Sequence, residues 1–178
     1  MMEEPKRKLK IDLDELVLAF DSGFGETYHY LDRETGEVIL VTDDSRFQAE
    51  ELLDQVGEDA SLETALAALQ DLDIEEWEKE LVTQVISVEM DSESRYIPVP
   101  NQTSHQGYQD METFIETVAD DHLAELLAVA IQGRGAFRRF KDVLQRYPEE
   151  HERWFRFKDD LVHQRVLKWL DSEGIEPE

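Results

Sequence analysis

The 178-residue sequence contains no cysteine and no long hydrophobic run. The absence of cysteine excludes disulfide bonds, thiolate metal sites and a cysteine nucleophile. No segment approaches the ~20 consecutive apolar residues that a membrane-spanning helix requires. The basic N-terminus lacks the apolar stretch of a secretory signal, because Asp12 and Asp14 follow too soon. We therefore expect a soluble protein without membrane association, and the lack of cysteine fits a reducing, cytoplasmic location.

Basic residues are scarce, and their distribution along the chain is uneven. The sequence has 18 Lys and Arg against 43 Asp and Glu, for a formal net charge of −25. Residues 1–132 hold 8 basic and 33 acidic residues, whereas residues 133–170 hold 10 basic and 6 acidic residues. Because nucleic-acid binding is driven by neutralising phosphates, this balance argues against general nucleic-acid binding. The acidity favours solubility, and it also fits a surface that faces a basic partner.

Two β-rich runs and a series of helical patterns predict an α+β fold. Residues 27–31 and 37–41 flank a turn in which Gly36 can adopt the left-handed conformation of a hairpin loop. Residues 95–100 form a further strand pattern, and its two prolines indicate an edge or an end of the sheet. We expect a small antiparallel sheet of two to four strands and a mainly helical C-terminal half.

Apolar residues at helical spacing predict helices over much of the remaining chain. Residues 71–84 are ambiguous but favour a helix, and residues 85–90 fit either a strand or a helix end. In a helix over 136–147, we expect these side chains to face inward: Phe137, Phe140, Leu144 and Tyr147. In a final helix to about Leu170, the expected buried anchors are Trp154, Phe157, Leu161, Leu167 and Trp169 or Leu170.

The expected organisation is one domain with charged ends, since a single domain is the default at this length. Residues 1–10 form a basic N-terminal arm, and residues 171–178 form an acidic tail. Between them, residues 11–170 form a single α+β domain. Its hairpin-containing part covers residues 11–100, and its helical part covers residues 108–170.

The segment GRGAFRRFKD at residues 133–142 concentrates four cations in a chain that is otherwise poor in them: Arg134, Arg138, Arg139 and Lys141. Arg134 lies between two glycines before a predicted helix N-terminus, where free backbone N–H groups and the helix dipole favour an anion. Arg134, Arg138 and Lys141 can share one helix face, and the planar fork of arginine suits phosphate or carboxylate. The cluster therefore either binds an anionic group outside the chain or pairs with Asp and Glu of the N-terminal part.

Other patterns give no site. His122 and Glu125 have a spacing that two metal ligands could use, but no second motif of this kind accompanies them. Ser104 and His105 are adjacent, yet an activated nucleophile also needs a base and an oxyanion site. A Gly-x-Gly at residues 23–25 follows no strand, which argues against a phosphate loop. We assign no catalytic residue, no metal ligand and no cofactor.

The run GRGAFRRFKDVL, followed by Trp154-Phe155 and Phe157-Lys158, resembles the signature of a bacterial family called uncharacterised protein family 0158. Three further segments are also similar to it: the hairpin, Arg95-Tyr96-Ile97-Pro98 and Met111-x-x-Phe114-Ile115. The similarity covers residues 10–42 and 95–170, whereas residues 43–94 are longer and less typical. The resemblance implies a coherent domain and brings no activity or catalytic residue with it.

The leading hypothesis is a non-catalytic binding or regulatory protein that engages an anionic group through the basic turn and helix. Its partner would be a protein or a phosphate-bearing ligand. The alternative is a metal-assisted enzyme that acts on a phosphorylated substrate, with arginines holding the phosphate and nearby acids holding the metal. A third possibility is that the acidic N-terminal region docks a basic partner.

Overall fold

The computed structural model describes residues 5–22 and 27–178, and its elements confirm the predicted α+β fold. The Gly-x-Gly at residues 23–25 and the start of the predicted arm lie outside the described residues. The strands are β1 (Arg7–Leu9), β2 (Thr27–Asp32), β3 (Val38–Thr42), β4 (Tyr96–Pro98) and β5 (Ile175–Pro177). The helices are α1 (Leu13–Asp21), α2 (Asp43–Val56), α3 (Leu62–Gln70), α4 (Glu76–Glu89), α5 (Ser104–Glu116), α6 (Asp121–Ala130), α7 (Ala136–Leu144) and α8 (Pro148–Ser172).

Three strands form the antiparallel sheet, in the order β3-β2-β4. The predicted hairpin pairs Thr27 with Thr42, and β4 pairs with the other edge of β2. Gly36 in the hairpin turn has φ of +79°, and a Cβ there would lie 2.4 Å from the carbonyl oxygen of Lys10. Only glycine fits this position without strain. The proline-containing strand lies at the sheet edge, as its composition predicted.

The predicted arm and tail meet in a second, two-stranded parallel sheet. β1 pairs with β5, placing Arg7 opposite Ile175. Leu9 and Ile175 are buried, and Lys6 contacts Asp171 in an ion pair. The predicted arm and tail therefore each contain a short paired strand with one buried side chain. A strand of three residues is too short to show an alternation of apolar and polar residues. The charged composition of the two ends therefore indicated solvent-exposed segments and not strands.

The segment that was ambiguous in the sequence belongs to a unit of three helices, α2, α3 and α4. Residues 76–89 form one continuous helix, α4, which includes residues 85–89 of the possible strand and ends at the C-cap Met90. Val82, Val85 and Ile86 are buried at the helical spacing i, i+3, i+4. They pack with α2, α3 and the outer strand β3 in one hydrophobic cluster.

The long helix α8 joins two further hydrophobic clusters. Its N-terminal half contributes Trp154 to a cluster with α5, α6 and α7. Its C-terminal half contributes Val162, Val166 and Leu170 to a cluster with α1, β1 and β5. The predicted anchor Leu167 is 39% exposed, so the prediction was wrong there. Trp154 and Leu170 are buried as predicted, and between them Val162 and Val166 are the buried residues instead of Leu161 and Leu167.

Two other predicted anchors of α8, Phe157 and Leu161, are only partly buried, as is Trp169.

No helix among the described residues is both long enough and apolar enough to span a bilayer.

Candidate functional site

Two glycines build the turn that carries the candidate cations. Gly133 and Gly135 have φ of +73° and +77°, in the left-handed region that glycine adopts without strain. Gly135 is the N-cap of α7, and no side chain caps this helix end. Arg134 lies between the two glycines and is exposed. The turn therefore presents Arg134 to solvent directly before the helix.

Arg139 is exposed, but its guanidinium reaches back to the turn. Its Nε donates a hydrogen bond of 2.8 Å to the carbonyl oxygen of Ala130, and its two terminal nitrogens donate to the carbonyl oxygens of Gln132 and Arg134. These carbonyls belong to the C-terminal end of α6 and the turn, where helix carbonyls lack partners within the helix. The arginine fork thus joins the end of α6 to the start of α7. Three of its five N–H donors are used by backbone carbonyls, which leaves Arg139 less available to an external anion than its neighbours.

The other three predicted cations point outward. The Arg138 side chain is 89% exposed, and its nearest carboxylate contact is Asp142, at 3.9 Å. Within the described part of the chain, no carboxylate lies within 4 Å of the charged nitrogens of Arg134 or Lys141. Among the residues that the structure describes, these three side chains therefore do not form the ion pairs with Asp and Glu of the N-terminal part that the sequence left open as an alternative. Lys158 of α8 makes such a contact instead, with Asp21 of α1 at 2.7 Å.

Phe137 adds an aromatic ring to the same surface. It was predicted to face inward but is 43% exposed, because Ala136, Phe140 and Leu144 form the buried stripe of α7. Its ring lies against Gly107 of α5, where an added Cβ would be 3.1 Å from Phe137 Cε1. Lys141 is four residues after Phe137, so these two side chains are neighbours on α7, and Arg134 lies in the turn directly before the helix. We call Arg134, Phe137, Arg138 and Lys141 the α7 face.

A buried ion pair lies between α5 and α8, and sequence reasoning did not find it. Asp110 is only 3% exposed and accepts two hydrogen bonds from Arg165, of 2.8 and 2.5 Å. Gln102 Nε2 donates a third, of 2.9 Å. The bonds to Asp110 raise the pKa of Arg165. The available signal was Asp110 itself, a charged residue on the apolar face of α5 beside Met111 and Phe114.

The histidines gain no catalytic or metal-binding arrangement. Ser104 and His105, expected in a loop, form the first turn of α5. His29 Nδ1 lies 3.5 Å from Ser22 Oγ, and burial lowers the pKa of this histidine. Across residues 5–22 and 27–178, no three His, Asp or Glu side chains are grouped closely enough to hold a metal ion.

Comparison with known proteins gives a family but no described activity. The sequence profile of Uncharacterised protein family (UPF0158) matches residues 69–178. The match includes the GRGAFRRFKD segment and also residues 69–94, which were expected to be atypical. The UPF0158 protein PA5073 of Pseudomonas aeruginosa is 26% identical over 172 residues, which cover 96% of this chain and 88% of that protein. No solved structure matches the chain.

Proposed function

The chain belongs to Uncharacterised protein family (UPF0158), and since membership brings no activity with it, we propose a function from the α7 face. The protein is a non-catalytic, cytoplasmic binding protein whose α7 face holds an acidic segment of a protein partner. The absence of cysteine supports the cytoplasmic location, because it fits a reducing compartment.

One observation carries this proposal. In a chain with 43 acidic residues, Arg134 and Lys141 have no carboxylate partner within 4 Å among the described residues, and Arg138 has only a distant one. Arg146 and Lys168 are exposed and likewise have no carboxylate within 4 Å among the described residues, so what distinguishes the α7 face is the grouping of its cations beside an exposed aromatic ring. In the same segment, by contrast, the guanidinium of Arg139 donates hydrogen bonds to three backbone carbonyl oxygens.

The exposed ring of Phe137 favours a protein segment over a bare phosphate. Arginine and aromatic side chains are enriched where proteins bind one another, and aromatic rings often dominate the binding energy. A phosphate group would pair with Arg134 and Arg138 but would leave the ring of Phe137 without an apolar partner. A segment with carboxylates around one apolar side chain would satisfy both features.

Site-specific photo-crosslinking in cells that produce the protein tests the proposal. A photoreactive phenylalanine analogue is placed at Phe137 and, in a separate variant, at Phe155 of α8, which is 50% exposed. We expect a crosslinked acidic protein from the first position only. The triple change Arg134→Glu, Arg138→Glu and Lys141→Glu should remove this product.

The control is Arg146→Glu, which makes the same charge change at an exposed residue after α7. It should leave the crosslinked product intact, and thermal unfolding should show that all variants remain folded. A product that survives the triple charge reversal would contradict the proposal. If inorganic phosphate stabilises the wild type but not the triple variant, the α7 face binds a phosphate-bearing ligand instead.

A further inference from the structure

A groove lies between α8 and the segment that leads from β4 into α5. Its volume is about 420 Å³, and the residues that line it include Phe20, Pro100, Gln102, Arg165, Lys168 and Trp169. Small-molecule sites commonly have volumes of roughly 300–1,000 Å³. The groove is thus large enough for a small ligand.

Both walls of the groove are held in place by contacts beneath it. Val162, Arg165 and Trp169 follow one another at spacings of three and four residues, so they line one face of α8. On the opposite wall, the backbone N–H of Gln102 donates a hydrogen bond of 2.9 Å to the carbonyl oxygen of Phe20. Asp110 binds both Arg165 and Gln102, and therefore links the two walls. Such preorganisation lowers the free-energy cost of ordering a site around a ligand.

The lining of the groove includes two cations, Arg165 and Lys168, in a strongly acidic protein. No Asp or Glu is among its lining residues. Asp110 neutralises Arg165 from below, whereas Lys168 is exposed and, within the part of the chain described, has no carboxylate within 4 Å. The groove therefore carries one uncompensated cation at its rim. This charge favours an anionic ligand.

An apolar floor accompanies the charge. Trp169 and Phe20 pack edge to face, with ring centroids 5.5 Å apart and an interplanar angle of 65°. Val162 and Pro100 extend this apolar surface. Aromatic side chains and the guanidinium plane of arginine both accept the flat face of a ring. Because the two rings are inclined by 65° and Phe20 is only 5% exposed, a flat apolar ring would lie mainly on Trp169, and a negative group fits the rim.

Gln102 offers a further polar contact. Its Nε2 is committed to Asp110, and its buried Oε1 has no hydrogen-bond partner among the residues described. A buried acceptor without a partner is unfavourable. A hydrogen-bond donor on a ligand would supply the partner that this oxygen lacks.

From these features we propose that the groove binds a small planar aromatic anion. The ring would lie on the floor, mainly on Trp169, and the negative group would pair with Lys168. The chemical class is a flat ring that bears a phosphate, sulfonate or carboxylate. The proposal is independent of the α7 face, which shares none of these residues.

Fluorine NMR of protein labelled with 5-fluorotryptophan tests the proposal directly. The chain has three tryptophans, and only Trp169 lines the groove; Trp154 is buried elsewhere and Trp77 is 61% exposed on α4. The probes are AMP and 1-naphthalenesulfonate, titrated into the millimolar range, with adenosine and inorganic phosphate as half-ligand controls. Resonances are assigned with the Trp169→Phe variant.

We expect at least one of the two probes to shift the Trp169 resonance in a saturable way, without comparable shifts of the other two. Lys168→Glu should weaken this binding by tenfold or more, whereas Arg146→Glu, the same reversal of charge at an exposed residue outside both sites, should not. The proposal is overturned if neither probe gives a saturable shift at Trp169. It is also overturned if Lys168→Glu binds the probes as well as the wild type, or if all three resonances move together.

Discussion

Replacing Arg139 by alanine removes the guanidinium that joins the end of α6 to the start of α7. Its bond of 2.8 Å to Ala130 involves a buried residue, whereas the other two carbonyls belong to exposed residues and can bind water instead. A hydrogen bond to a charged group contributes about 1.5–3 kcal/mol. A cation at a helix C-terminus adds about 0.3–1 kcal/mol. Arg139→Ala should therefore lower the free energy of unfolding by about 2–4 kcal/mol.

Urea unfolding and thermal melting measure this loss, and Arg138→Ala is the matched control. For a chain of this size, 1 kcal/mol corresponds to about 2–4 °C in Tm, so Arg139→Ala should melt roughly 4–16 °C lower. Arg138 is 89% exposed with one weak contact, so its removal should cost no more than about 0.5 kcal/mol. Arg139→Lys keeps the charge but not the planar fork and should recover only part of the loss. Equal stability of the two alanine variants would refute this account of Arg139.

The ion pairs at two other sites give the remaining predictions. Asp110→Ala leaves Arg165 partly buried without its partner, and breaking such a pair costs about 3–5 kcal/mol. Urea unfolding should show that the free energy of unfolding falls by an amount near the lower value. A fall of less than about 1 kcal/mol would contradict this account of the pair. Burial by itself would raise the pKa of Asp32, but hydrogen bonds from Arg95 and from the hairpin turn outweigh it and lower that pKa. Its stabilising contribution is therefore complete above the ordinary carboxyl pKa of about 3.9 and is lost as the pH falls towards the lower folded value. Unfolding measured from neutral pH down into this range should show the loss, and Asp32→Asn should make the dependence shallower.

The elements that could be predicted are those whose signal is local. The hairpin followed from two β-rich runs and a glycine that the turn requires, with φ of +79° at Gly36. The alternatives at residues 71–84 and 85–90 could not be decided locally, because a short apolar run fits a buried strand as well as a helix. Packing of α4 against α2 and α3 decides the outcome, and that packing is a tertiary property.

Whether a given cation of the segment is exposed or binds backbone carbonyls was harder to predict than where the cations lie along the chain. Arg138 and Arg139 are the same residue type at adjacent positions, and about 100° of helix rotation separates them. Which of them meets the carbonyls of the α6 end depends on how the two helices approach each other. The Asp110–Arg165 pair likewise joins residues 55 positions apart. A charge pattern can locate such residues but does not identify their partners.

The burial of Phe137 was predicted wrongly for a related reason. Phe137 and Phe140 are three residues apart, and helical spacing allows both to face a core. The stripe of Ala136, Phe140 and Leu144 takes the buried side instead, and Phe137 lies over Gly107 with much of its ring exposed. The absence of a side chain at Gly107 makes this close approach possible. The spacing of apolar residues shows that a segment is helical, but which face of the helix is buried depends on the elements that pack against it.

A net charge of −25 does not prevent an acidic segment from binding the α7 face, because the acidity is unevenly placed. Residues 43–94, which contain α2, α3 and α4, hold 17 acidic and 2 basic residues. These helices pack in a different hydrophobic cluster from that of α7. At physiological ionic strength, interactions between exposed charges decay over about 8 Å. A partner close to Arg134, Arg138 and Lys141 is therefore governed by those cations and their immediate neighbours, and the total charge is a poor guide to which partner this surface accepts.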